Sequence, residues 1–199
     1  MANNYNSKER ILNVALDLFS ERGYDAVSVN EIVQKAGVTK PTLYYFFESK
    51  EGVFKYILKE KYEDFNNRLK NITKYNPHTD SYFEDVYPVL LNTVKLYFDF
   101  VKEDKSFYLM LLSFIFAPPT SQTSIMTKPY YKTHYNILIS LFIDIAKVHR
   151  NLIGKEEQSA SSFLAVINSV IALWIHGVGE LSEERAASIV HQFMHGVFA

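Results

Sequence analysis

The stretch from Ser28 to Phe47 constrains this chain more tightly than any other, because its caps and apolar positions admit few backbones. Ser28 followed three residues later by Glu31 is a capping box, which predicts a helix start. Ile32, Val33 and Ala36 give that helix an apolar side. Gly37 stands where the helix must close in the left-handed conformation that glycine adopts cheaply, and Val38 plugs the turn. Thr39 then caps a second helix, with Pro41 in its first turn, where a missing amide hydrogen is harmless. Leu43 and Phe47 face inward, leaving Lys40, Thr42 and Tyr45 outward. Helix, short turn and helix with a polar, cationic outer face make a helix-turn-helix.

Such a face reads DNA when side chains reach base edges and neighbouring groups hold phosphates. Lys40, Thr42 and Tyr45 are the groove-side candidates; Ser28, Thr39, Tyr44 and Lys50 are the phosphate candidates, since hydroxyls and amides at helix starts suit anions. Charge alone does not point to nucleic acid. The chain carries a formal charge of −1, and in the first fifty residues Lys8, Arg10, Arg22, Lys35, Lys40 and Lys50 are matched by Glu9, Asp17, Glu21, Asp25, Glu31 and Glu48. Binding has to rest on placed groups rather than on a broad basic field.

The run Ala36-Gly37-Val38-Thr39-Lys40-Pro41-Thr42-Leu43-Tyr44-Tyr45-Phe46-Phe47-Glu48-Ser49-Lys50-Glu51 resembles the DNA-binding signature of TetR-type transcriptional repressors. The likeness extends from about Ile11 to about Phe54, roughly a quarter of the chain. It points to the same contact positions and implies a homodimer joined through its last two helices. Two positions depart from the commonest pattern: Phe46 stands where histidine is frequent, and Glu48 where a neutral or basic residue is usual. Glu48 would repel a nearby phosphate.

Few glycines and prolines, with many Tyr and Phe, favour an all-α fold of about nine helices. Residues 1–50 are expected to form a three-helix DNA-binding domain, and residues 51–199 a helical effector-binding and dimerisation domain, with 51–72 as the connecting helix. Ser7 is expected to cap the first helix, and residues 1–6 to fray. The later helices are expected at about 81–103, 106–116, 128–151, 156–176 and from Ser182 to Val197. Thr73–Asp80, with Asn76-Pro77, reads as a boundary, and Ala117–Ser124 as a polar loop.

Between Tyr82 and Phe116 lie ten Tyr or Phe residues. The enrichment predicts a pocket for a small apolar or aromatic effector, drawn from Tyr97, Phe100, Phe107, Tyr108, Phe114, Tyr135 and Phe142. Asp144 and Asn168, polar residues within apolar runs, are candidates to orient it; Asp144 can equally pair with Lys147. The last two helices are too apolar for one wet side, and Val166, Val170, Trp174, Ile189 and Phe193 are the expected subunit interface.

No cysteine is present, which excludes disulfides and thiolate chemistry. His191 and His195 share a helix face, but no third ligand is evident and Gln192 stands where a zinc-protease motif needs Glu, so neither metal nor cofactor is expected. No glycine-rich phosphate loop or nucleophile elbow occurs, and no enzyme activity is expected. The N-terminus lacks the pattern of a signal peptide, and the apolar run Phe163–Ile175 falls short of a bilayer span of about 20 residues, so a cytoplasmic protein is expected. The reading is a homodimeric, effector-responsive repressor on a pseudo-palindromic operator in double-stranded DNA. The alternative is an all-helical small-molecule-binding protein that does not use DNA.

Overall fold

The computed structural model describes residues 2–77 and 81–196, with side chains from residue 6 onward. Helices, and no strand, occur among the described residues: α1 (Ala2–Arg22), α2 (Val29–Ala36), α3 (Lys40–Phe47), α4 (Lys50–Ile72), α5 (Tyr82–Glu103), α6 (Lys105–Ile115), α7 (Gln122–Val148), a 3-10 turn (Arg150–Leu152), α8 (Glu156–Ile175) and α9 (Glu183–His195). They form two compact units: residues up to Glu63 with Asp104–Tyr130, and Asp64–Glu103 with residues from Tyr131 on. The division falls inside α4 and α7, so each of these helices supplies residues to both units.

In the first unit, α1 packs against α2, α3 and α6. Ile11, Ala15, Leu18, Ile32, Leu43, Val53 and Phe54 are almost wholly removed from solvent. Phe19, Tyr24 and Phe54 form a ring cluster at 4.8–5.6 Å, and Phe114 of α6 meets Phe54 edge-on at 5.7 Å. Ser106 Oγ donates to Asp17 Oδ1 (2.9 Å), tying α6 to α1. A three-helix bundle of about fifty residues is marginal alone; the aromatic side of α6 completes its core.

In the second unit, α5 packs on α8 and α9. Its interior is aromatic, with Phe65 stacked flat on Phe100 (3.9 Å, 5°) and Phe163 beside Phe142 and Phe193. Two polar chains run through this interior. Tyr97 donates its hydroxyl hydrogen to His134 Nε2 (2.6 Å), and His134 Nδ1 donates to Asn66 Oδ1 (2.6 Å). Asp85, fully enclosed, accepts from the Tyr75 hydroxyl and from His149 Nε2 (2.9 Å). Burial holds His134 neutral, with its pKa lowered to about 3.

Several boundaries differ from expectation for identifiable reasons. α1 starts at Ala2 rather than at Ser7, because extending a formed helix costs little per residue. α6 is capped by Asp104, whose carboxylate accepts from the Phe107 amide (3.0 Å). α7 begins at Gln122 inside the expected loop: Ser121 Oγ accepts from the Ser124 amide (3.2 Å), and buried Thr123, Met126 and Thr127 anchor the first turns despite Pro129. Val197 and residues 78–80 lie outside the described residues. α8 is, by length and composition, apolar enough to cross a membrane, but Phe163, Ile167 and Ile171 are buried within its own unit.

Candidate nucleic-acid interface

The helix-turn-helix is built as its caps dictate. Ser28 Oγ accepts from the Glu31 amide (3.3 Å), and Glu31 Oε2 accepts from the Ser28 amide (2.9 Å), which completes the capping box. Glu31 also takes the Arg22 guanidinium at 2.6 Å. The Ser28 amide, then Arg22, hold its carboxyl down at about 2. Gly37 is left-handed (φ 61°, ψ 40°), and the Val38 amide closes back on Val33 O at 3.0 Å. Thr39 Oγ1 caps α3 through the Thr42 amide (3.4 Å) and lies 2.9 Å from the Thr42 hydroxyl.

Leu43 and Phe47 are buried, Tyr45 stands on the opposite face, and Lys40 and Tyr44 are exposed along its flank. Tyr45 is 75% exposed and Tyr44 46%, unusual values for large rings on a helix whose other side is core. Thr42 is half-buried, its hydroxyl shared with Thr39. The two helix starts differ electrically. Glu31 sits in the first turn of α2 and occupies its positive end, whereas α3 has no acid in its first turn and carries Lys40 there. The open anion-favouring end is that of α3.

Lys50, expected among the phosphate contacts, is turned inward: its ammonium donates to Tyr24 O and Val27 O, both at 2.9 Å. Ser28 is likewise committed to its own cap. Two backbone features that shape this site are not marked in the sequence expectations above. Glu48 closes α3 with φ 64°, and Gly52 has no room for a side chain, since a Cβ there would lie 1.8 Å from Phe47 O. A glycine in the first turn of a helix is the signal that marks the second.

The expected effector residues are divided between the two compact units. Tyr97, Phe100 and Phe142 are interior packing of the second unit, Phe107 and Tyr108 are buried in the first, and Phe114 lies against Phe54. Tyr135 stacks with Tyr131 at 6.2 Å, and its hydroxyl donates to Glu157 O (3.0 Å). Asn168 is half-buried in α8. Asp144 pairs with Lys147 at 2.6 Å and also lines a groove of about 570 Å³ in the second unit, with Lys70, Lys74, Tyr75, Ile137 and Leu141. Of the expected interface, Val166, Val170 and Trp174 follow one stripe of α8 that reaches the surface, beside exposed Leu173. Ile189 is instead turned into its own unit's core, because α9 packs that face on α5, and Phe193 lies on Phe163 at 4.9 Å. The His191 and His195 rings are 4.6 Å apart, and no group of three metal-ligating side chains occurs among the described residues.

Residues 11–57 match the family described as bacterial regulatory proteins, tetR family. Over 164 residues the chain is 30% identical to the uncharacterized HTH-type transcriptional regulator YdgC of Bacillus subtilis, covering 79% of this chain and 81% of that protein. This chain belongs to the tetR family. As a tetR-family protein it is a helix-turn-helix, DNA-binding transcriptional regulator. A second relative is the biofilm operon icaADBC negative transcriptional regulator IcaR of Staphylococcus aureus, 29% identical over 91 residues, 45% of this chain and 49% of IcaR. The tetR fold extends over nearly the whole chain. A putative fatty acid metabolism regulator of Clostridium perfringens superposes with a TM-score of 0.77 at 20% identity, covering 96% of this chain and 99% of that one. FadR of Bacillus subtilis, solved in complex with stearoyl-CoA, gives 0.74 at 18% identity, covering 95% and 98%.

Proposed function

We propose that this tetR-family protein is a cytoplasmic homodimeric repressor that presents α3 to a major groove in each half of a pseudo-palindromic operator and leaves it when a small effector binds. The observation that carries the DNA reading is the outer face of α3, where Lys40, Tyr44 and Tyr45 stand exposed at an acid-free helix start. Lys40, Thr42 and Tyr45 read base edges; Thr39 and Tyr44 hold phosphate, while Ser28 and Lys50 act from within the motif, on its own cap and backbone. Residues 1–50 form the DNA-binding domain, and residues 51–199 serve effector and dimer. The apolar stripe Val166, Val170 and Trp174 on α8 meets its counterpart on a second copy, which accounts for an apolar face left outward. The effector, a largely apolar or aromatic molecule, enters the second unit; the groove there offers Tyr75, Ile137 and Leu141 to its apolar part, and Lys70, Lys74, Asn136 and Asp144 to polar groups it carries. Regulation is a shift between two states and requires the effector to prefer the one that does not hold DNA. IcaR, by its description a negative regulator, and FadR, solved with an acyl thioester, support the repressor and effector parts. No catalytic role is assigned.

Footprinting on the promoter nearest the gene tests this. Saturable protection of one symmetric site by wild type, lost in Lys40→Ala/Tyr45→Ala, is expected. Equal affinity for that site and for bulk DNA would sink the reading.

A further inference from the structure

The corner between α3 and α4 is built under constraint. Glu48 has φ 64° and ψ −33°, and the Ser49 amide donates to Phe47 O at 2.7 Å, a γ-turn of the rare positive-φ kind. Ser49 Oγ accepts from the Gly52 amide (2.9 Å), and Gly52 lies so close to Phe47 O that any Cβ would collide with it. A strained corner of this kind persists only where its surroundings over-determine it. The first residue beyond it, Lys50, directs its ammonium back to the other end of the motif. It donates to Tyr24 O and Val27 O, each at 2.9 Å, and lies 4.1 Å from the centroid of the Tyr24 ring. That ring is itself fixed by Phe19 and Phe54. Val27 directly precedes Ser28, the cap of α2.

We infer that Lys50 is a positioning residue that staples the chain entering α2 to the chain leaving α3, and so sets the angle at which α3 meets DNA. Two of its three N–H bonds are used inside the protein, which is the geometry of a clamp rather than of an outward phosphate contact. The inference rests on the operator-binding reading above.

The test uses full-length protein, a duplex selected by wild type from a random pool, and an unrelated duplex of equal length, across a salt series. Lys50→Met keeps the stem and removes every donor. Lys50→Arg keeps the charge but replaces one tetrahedral ammonium with a planar fork. Both variants are expected to lose on the order of tenfold in affinity for the selected duplex, the difference one well-made hydrogen-bonding contact commands. Affinity for the unrelated duplex and the salt slope stay at wild-type values. A slope shallower by about 0.9 per subunit in Lys50→Met marks a phosphate contact and overturns the inference. So does wild-type affinity in Lys50→Arg, which decides the matter if Lys50→Met does not fold. A lower melting temperature with unchanged affinity in the folded protein overturns it equally. If wild type itself prefers no duplex, the operator-binding reading fails first and takes the inference with it.

Discussion

Tyr45 and Tyr97 are the same residue type on two helices, and the fold uses them in opposite ways. Tyr45 is 75% exposed on a short helix whose core side is already filled by Leu43 and Phe47. Tyr97 is 1% exposed, with its hydroxyl committed to His134 and its ring set edge-on to Phe65 at 4.9 Å. A single exposed ring is ordinary on a protein surface, as Phe116 at 89% shows; Tyr45 differs in standing beside Tyr44 and Lys40 on the second helix of a helix-turn-helix. Aromatics packed flat and edge-on in the second unit have an evident use already, as core. Position on α3 supports a contact role for Tyr45, and burial on α5 gives Tyr97 a packing role.

Substitutions break this comparison in order of size. Phe100→Ala removes the ring stacked on Phe65 and is expected to cost about 3–5 kcal/mol in urea unfolding, with operator affinity of the folded fraction unchanged. Tyr45→Ala is its mirror: stability within about 0.5 kcal/mol of wild type, and operator affinity lower by about 1–3 kcal/mol in a gel-shift titration. The hydroxyls alone sharpen the contrast. Tyr97→Phe strips His134 Nε2 of its buried donor and is expected to cost about 1–3 kcal/mol of stability, whereas Tyr45→Phe costs none. Equal stability losses in the two Phe variants would erase the distinction.

Acid reads the same interior. His134 has a folded pKa near 3 against an ordinary 6.5, so above pH 6.5 both states are neutral and its contribution is complete. As pH falls below 6.5 the unfolded chain takes up a proton that the folded chain refuses. Stability then drops by about 1.4 kcal/mol per pH unit towards pH 3. Urea midpoints from pH 7 to 4 should fall less steeply in His134→Gln than in wild type, which removes the carboxylate background common to both. The smallest effect has the opposite sign: Glu48→Gly relieves the positive φ at the α3–α4 corner and is expected to stabilise by up to about 1 kcal/mol in a thermal melt.

What could be read from the residues was local. Ser28, Glu31, Gly37 and Thr39 lie within twelve residues and each makes its capping bond to a residue only three or four positions away, so both short helices were legible with their caps. Asp104 was hidden because a cap inside the polar run Lys102–Lys105 looks like any other surface charge. The two buried polar chains join residues 10–68 positions apart, and no local pattern marks Asn66 or His134 as partners. The aromatic enrichment was legible in number but not in place, for a related reason. Composition counts rings but not which of two compact units receives them, and Phe107 and Tyr108 went to one while Tyr97 and Phe100 went to the other.

The carboxylate of Glu31 at the head of α2 has a consequence for life in a crowded chromosome. By occupying one of the two positive helix ends, it removes a contact that every stretch of duplex would have offered equally. A regulator with little general grip on DNA spends little of its time parked on the millions of irrelevant sites that compete for it. A larger share of each cell's copies is then unbound and searching, so a small number of molecules per cell can keep a single promoter occupied.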